Sequence, residues 1–197
     1  VGTPDNQFAT RTSDYAEAYA MADMISPWTV GRFNSVQGVR TTFDQSIARD
    51  LQYCQEKGID YLPVMFPGFS WANMRNTKTL QNEIPRLAGR FMWEQARVVA
   101  KYGLPGAYFA MFDEYDESTA IMKAASDWWD SPAACLGQWQ YFLTLSADGY
   151  WLSSDFYLRL AGDITQMLKD VASGKIKYED VPADPPTPHS LGPIFWR

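Results

Sequence analysis

Four carboxylates fall within five residues in Phe112-Asp113-Glu114-Tyr115-Asp116-Glu117-Ser118-Thr119, where an apolar run comes to an end. Coulomb repulsion among acids this close raises the pKa of at least one of them, which then keeps its proton near neutral pH. One protonated and one ionised carboxyl are the equipment of a glycosidase. If the apolar run turns into a helix here, Glu114 and Glu117, three residues apart, share a face and converge on one pocket. Asp113 and Asp116 then orient neighbours or cap the helix. The same acids have two other readings. A helix N-terminus attracts negative charge by itself, and a hard cation such as Mg2+ or Ca2+ takes several carboxylates, although this spacing fits no EF-hand loop.

A second polar cluster, Gly68-Phe69-Ser70-Trp71-Ala72, nearly matches the G-x-S-x-G nucleophile elbow, and Ser70, Asp113 and His189 follow in hydrolase order. Against that reading, Ala72 replaces the last glycine, residues 73–79 make a poor helix, and the sole histidine sits in a Pro-rich tail. Ser70, Trp71 and Asn73 are expected instead to line a polar cleft with an aromatic wall, unless Trp71 only packs the loop. Trp28 and Arg32 pair an aromatic ring with a cation, either as a ligand contact or as a structural stack. Trp128-Trp129-Asp130 and Tyr150-Trp151 read first as core and second as further walls for a sugar. With 8 Trp, 11 Tyr and 11 Phe, aromatic residues make up 15% of the chain, and flat faces beside acids suit sugar rings.

To bring these loops together, the chain must set its apolar runs side by side. Four runs, residues 24–30, 61–66, 106–112 and 142–145, alternate with polar or helix-patterned stretches. Within 42–57, Phe43, Ile47, Leu51 and Cys54 form the stripe of an amphipathic helix that Gly58 ends. The spacing predicts further helices over 91–102, closed by Gly103, and over 155–172, after the turn Ala147-Asp148-Gly149. Near-continuous apolar strands alternating with helices indicate an α/β fold with a parallel sheet buried on both faces. Runs that start 37, 45 and 36 residues apart exceed the ~31 per unit of a 250-residue (β/α)8 barrel of TIM type, and the loops after the strands carry the excess. Four units, or five if Val1 is the stump of another strand, make roughly the C-terminal half of such a barrel. Half a barrel leaves open strand edges, so a second polypeptide, a second copy or upstream sequence is expected to complete it. Residues 1–180 form the barrel portion in this reading. The Pro-rich residues 181–197 form an extended arm whose Ile194-Phe195-Trp196 end docks on the body.

Bulk properties narrow the classes. At 197 residues the chain is one domain on the usual scale of about 100–200 residues. Its 46% hydrophobic and 20% charged residues are those of a globular protein. A net charge of −6 with a single histidine argues against nucleic acid, which needs dense Lys and Arg. No apolar run reaches the roughly 18 residues of a membrane span. Cys54 and Cys135 are too few for a disulfide scaffold and are not in metal-ligand spacing. The opening at Val1 rather than Met suggests processing or truncation upstream.

Taken in order, Ser26-Pro27-Trp28-Thr29-Val30-Gly31-Arg32, Pro63-Val64-Met65-Phe66-Pro67-Gly68-Phe69-Ser70-Trp71, Ile84-Pro85-Arg86 and the stretch from Ala110 to Ala120 resemble the glycoside hydrolase family 99-like and family 71-like proteins. The resemblance runs along essentially the whole chain and implies the C-terminal part of a (β/α)8 barrel. In family 99 endo-α-mannosidases an Asn-Glu-Trp-x-Glu-Gly motif carries two catalytic glutamates. By that resemblance Glu114 deprotonates the sugar 2-hydroxyl, giving a 1,2-anhydro intermediate, and Glu117 is the general acid/base at the glycosidic oxygen. Asp113 stands here for the motif's Asn, Tyr115 for its Trp and Ser118 for its Gly. The expectation is a retaining glycosidase acting on an α-linked glycan or polysaccharide. Glu114 and Glu117 are catalytic, and Trp28, Arg32, Ser70, Trp71, Asn73, Asp113, Tyr115 and Asp116 bind substrate. No metal or organic cofactor is required, and neither nucleic acid nor a membrane is a partner. A carbohydrate-binding protein that has lost turnover is the alternative. The family's polysaccharide substrates imply a secreted or periplasmic setting.

Overall fold

The computed structural model describes residues 16–131 and 142–187. The protein is α/β with small parallel sheets. Strand β1 (Met24–Ile25) pairs with β2 (Asp60–Tyr61), and β3 (Val64–Met65) pairs with β4 (Tyr108–Phe109), both in parallel. β2 and β3 lie on one extended stretch. Asp60 and Leu62 donate their N–H groups to the carbonyls of Asp23 and Ile25, at 2.9 and 3.0 Å, whereas the carbonyls of Pro63 and Met65 accept from Tyr108 and Ala110, both at 2.8 Å. Even-numbered residues thus face β1 and odd-numbered ones face β4. Because neighbouring residues of an extended chain present their polar groups to opposite edges, the 60–65 stretch is the middle of three parallel segments.

Side chains continue the ladder where backbone pairing stops. The Thr29 hydroxyl donates to the Val64 carbonyl at 2.7 Å. Gln95, buried without exposed surface, accepts the Phe66 N–H at 3.1 Å and donates back to the Phe66 carbonyl at 2.8 Å. Each buried backbone group needs such a partner, and these two residues supply it where the strands are only two residues long.

The three longest helices among the described residues pack on this frame: α1 (Asp44–Lys57), α2 (Arg90–Lys101) and α3 (Phe156–Ala172). α1 is entered through a helical turn at Val36–Gly38 and a wider π-helical turn at Val39–Phe43, and it ends at Gly58 in the left-handed region. Phe43, Ile47 and Cys54 of its expected stripe are buried, and Leu51 is half-buried. α2 is buried on nearly every side, through Phe91, Met92, Trp93, Gln95, Ala96, Val98 and Val99. Its entry residue Gly89 has φ 85°, and a Cβ there would stand 2.7 Å from Leu160 and 3.0 Å from Phe156. α2 and α3 therefore meet at a point where only glycine fits.

The fourth expected strand, at 142–145, does not form. Residues 142–144 are irregular and Leu145–Asp148 is a 3-10 turn. The Leu145 and Ser146 N–H groups bond to the Ala125 and Ser126 carbonyls, and the Ser146 hydroxyl donates to Asp127. Partners on the 125–127 stretch thus take these groups in place of a ladder. Of the Pro-rich tail, residues 181–187 are described. Val181 joins the core, the Pro182 carbonyl accepts the Trp93 indole N–H at 2.9 Å, and Thr187 donates to Asp163 at 2.6 Å. Val1, Cys135, His189 and the Ile194-Phe195-Trp196 end lie outside the described residues. Among those described, no helix is long and apolar enough to cross a membrane.

Candidate active site

The acids sit where β4 ends, but in a loop and not in a helix. Tyr115–Ser118 is a turn, with Ser118 at φ 56°. Its two limbs are laddered. Met111 donates its N–H to Thr119, Thr119 and Ala120 donate to the Glu114 carbonyl, and Ile121 donates back to Met111, all at 2.9–3.1 Å. A helix cannot start here because the chain reverses within four residues and returns beside its own strand end. Glu114 Oε1 accepts the Asp116 N–H at 3.3 Å, and the Tyr115 hydroxyl donates to the Lys123 carbonyl at 2.8 Å. Asp113 and Asp116 are exposed, while Glu114 and Glu117 are half-buried. Partial burial raises the Glu117 pKa first, and the negative charges of Glu114 and Asp116 raise it further. The loop therefore holds one carboxyl that keeps its proton to higher pH among others beside it.

The loop after β3 holds this turn from the side. The Ser70 N–H donates to the Glu117 carbonyl at 2.8 Å, and Phe69 and Ile84 exchange backbone bonds at 3.0 and 3.1 Å. Ser70 is only 1% exposed. Its hydroxyl oxygen lies 3.3 Å from the Asn82 N–H, 3.4 Å from that of Ala72 and 3.5 Å from the Leu80 carbonyl. It supports the loop, and its link to the acids runs through its backbone. Trp71 is half-buried, edge-on to Phe69 at 4.7 Å, with the Arg75 guanidinium over its ring at 5.4 Å. Asn73 lies in the single helical turn Ala72–Arg75 that follows.

Trp28 and Arg32 stand apart from this group. With Pro27, Thr29, Phe33, Thr42 and Ser46 they line a small pocket that contains no residue of the acidic loop. Arg32 Nε donates to the Trp28 carbonyl at 2.7 Å. Trp128, Trp129 and Trp151 are 44%, 76% and 54% exposed, which departs from their first reading as core. Among the described residues no three His, Cys, Asp or Glu side chains are placed to hold a metal ion.

Comparison with known proteins adds a structural likeness. No protein-family model matches the chain, and no curated protein matches it by sequence. Among solved structures the chain is similar to the GH99 endo-alpha-mannosidase from Bacteriodes thetaiotaomicron in complex with BIS-TRIS-Propane. The two share a TM-score of 0.49 and 15% identity over 71% of this chain. The chain spans 37% of that structure's length.

Arg86 and Asp148 complete the surroundings of the loop, and sequence reasoning assigned a role to neither. Arg86 Nη2 donates to the Ser118 carbonyl at 2.7 Å and to the Ala120 carbonyl at 3.0 Å. Asp148 accepts from Asn82 Nδ2 at 2.6 Å and from the Leu87 N–H at 2.7 Å. Burial pulls the Arg86 pKa down, with Tyr157 and Asp148 opposing. In the sequence Arg86 shows only as the end of Ile84-Pro85-Arg86 and Asp148 only as the middle of the turn Ala147-Asp148-Gly149, because contacts across more than thirty residues have no local period.

Proposed function

We propose that this chain is part of a retaining glycosidase that cleaves an α-linked glycan or polysaccharide, with Glu114 and Glu117 as its working carboxylates. The observation that carries the reading is the raised pKa of Glu117 in an acid-rich turn at the C-terminal end of a parallel strand, where (β/α) barrels keep their sites. The motif resemblance from Ser26 to Ala120 adds to it. Glu117 donates its proton to the glycosidic oxygen as the bond to the anomeric carbon breaks. Glu114 takes the proton of the sugar 2-hydroxyl as that oxygen closes on the anomeric carbon. Water then opens the anhydro sugar, giving one proton to Glu117 while Glu114 returns its own to the 2-oxygen, so both carboxyls regain their starting states. Trp71 and Tyr115 supply apolar faces, and Asp113 and Asp116 present carboxylates to sugar hydroxyls. Trp28 and Arg32 serve a more distant part of the same ligand. A second polypeptide or a second copy of the chain completes the barrel.

The test is Glu117→Gln, assayed on a panel of α-linked glycans and polysaccharides. Loss of a general acid costs about 10²–10⁴-fold in turnover, with the circular dichroism spectrum unchanged. Undiminished turnover overturns the assignment. A second reading, a glycan-binding protein without turnover, is favoured by the small number of parallel segments among the described residues, since catalysis needs groups held to about 0.5 Å. Calorimetric binding of a glycan that stays uncleaved selects it.

A further inference from the structure

We propose that Arg86 is the positioning residue of the acidic turn, gripping two carbonyls of its return limb and so holding the Glu117 carboxyl beside Glu114. The inference rests on the reading of Glu117 as the acid of the site. One nitrogen, Nη2, has two hydrogens, and each finds a carbonyl, those of Ser118 and Ala120. The Glu117 carbonyl just before them is taken by the Ser70 N–H. Three carbonyls within four residues are thus held from outside the turn, at the point where Ser118 adopts φ 56°. A non-glycine residue is strained in that region, so the reversal persists because its neighbours over-determine it.

Arg86 is itself built into place. Its guanidinium lies over the Tyr157 ring, 4.5 Å from the centroid. The Tyr157 hydroxyl accepts the Gly89 N–H at 3.1 Å, and Asp148 holds the Leu87 N–H next along the chain. Gly68 leaves room for the aliphatic stem, since a Cβ there would stand 2.6 Å from Arg86 Cγ. Among the described residues Nη1 has no hydrogen-bond partner, so the fork is committed to the turn through Nη2. Lysine cannot reproduce this, because it offers a point charge without a planar face to stack on Tyr157.

The titratable and charged groups around the turn are Glu114, Asp116, Asp113 and Tyr115 of the turn itself, Lys123 beyond it, Arg86 with Tyr157 and Asp148 behind it, and Glu83, which accepts the Trp71 N–H at 3.0 Å. Releasing the return limb lets water reach Glu117 and lets it swing from Glu114 and Asp116, the causes of its raised pKa.

The experiment is an NMR pH titration of the Glu117 carboxyl carbon in the full chain, assigned by difference from Glu117→Gln and repeated in Arg86→Lys. The expected result is a midpoint in Arg86→Lys that drops toward the ordinary glutamate value of about 4.3. Where turnover is measurable, kcat falls at least about tenfold, KM changes little and the alkaline limb of the pH profile moves to lower pH. A folded Arg86→Lys whose Glu117 midpoint stays at the wild-type value overturns the proposal. If Arg86→Lys does not fold, the wild-type protein decides. Slow exchange of the Arg86 Nη2 protons supports the grip, and exchange as fast as that of an exposed arginine overturns it. The titration requires no turnover, so a shifted midpoint in a protein that cleaves no glycan defeats the glycosidase reading and leaves the positioning role standing.

Discussion

Replacing Gln95 by leucine tests whether side chains really complete the sheet. Gln95 accepts the Phe66 N–H and donates to the Phe66 and Phe91 carbonyls, at 3.1, 2.8 and 3.1 Å. The Phe91 carbonyl lies in α2 and keeps the Gln95 backbone N–H as its helical partner. Among the described residues Phe66 keeps no other partner for these groups, and it is fully buried. Two orphaned backbone groups at about 1–3 kcal/mol each cost about 2–6 kcal/mol. Greater apolar burial of leucine returns about 1–2 kcal/mol, leaving a net loss of about 3 kcal/mol. At ~2–4 °C per kcal/mol for a protein of this size, the melting midpoint should fall by ~6–12 °C. Urea denaturation and a thermal scan measure this directly, and a loss below about 1 kcal/mol refutes the reasoning. Gln95→Glu sharpens the test. A protonated glutamic acid still accepts the Phe66 N–H and donates to its carbonyl, whereas the carboxylate can only accept. Burial raises the native pKa of that glutamate above its unfolded value of about 4.3. Across that window the native state holds the proton and the unfolded state does not, so stability falls as pH rises. The variant should approach wild type below pH ~4 and fall behind it toward neutrality.

Gly68→Ala should destabilise by about 1–3 kcal/mol in urea denaturation, because the new Cβ would stand 2.7 Å from the Ile84 carbonyl oxygen, a backbone atom held by the Phe69 N–H. A gain of about 0.4–1 kcal/mol, as at a glycine with room to spare, would refute it. Glu117→Gln should change how stability depends on pH as well as turnover. The native pKa of Glu117 is raised above its ordinary value, so the folded wild type holds this proton more tightly. Its stability is greatest below that value and declines as pH rises through the native pKa. The variant should lack that decline, and denaturation curves at pH 4 and pH 7 that shift equally in both proteins would contradict it.

The helices were legible because they carry a local period. Phe43, Ile47 and Cys54 point inward as their spacing requires, and Gly58 and Gly103 take φ 69° and 67° where the pattern ends. The strands were legible as apolar runs but not in length. Paired segments of two residues replace runs of six or seven, since Thr29 and Gln95 take over backbone partners that a longer neighbour would have supplied. The run at 142–145 carried the same apolar signal and made no strand. Thr144 and Ser146 bond each other at 3.0 Å, Ser146 reaches Asp127, and the Leu145 and Ser146 N–H groups bond to Ala125 and Ser126, so pairing with the 125–127 stretch outweighed the pattern.

The acidic cluster shows the same division between content and frame. Its composition announced a raised carboxyl, and Glu117 is raised by the crowding that the sequence displays, together with partial burial. Its conformation depends on partners far away in the chain: Ser70 at one carbonyl, Arg86 at two more, and Asp148 behind the Arg86 loop. A helix would have shown Glu114 and Glu117 on one face without help. A turn that reverses at Ser118 holds them together only while those partners stay in place. The arginine has no local signature and the acids do, yet the geometry of the acids depends on the arginine. Substitutions at Gly68, Arg86 and Asp148 should therefore act on Glu117 as strongly as substitutions beside it, whereas changes at Trp28 and Arg32, in their separate pocket, should leave its titration untouched.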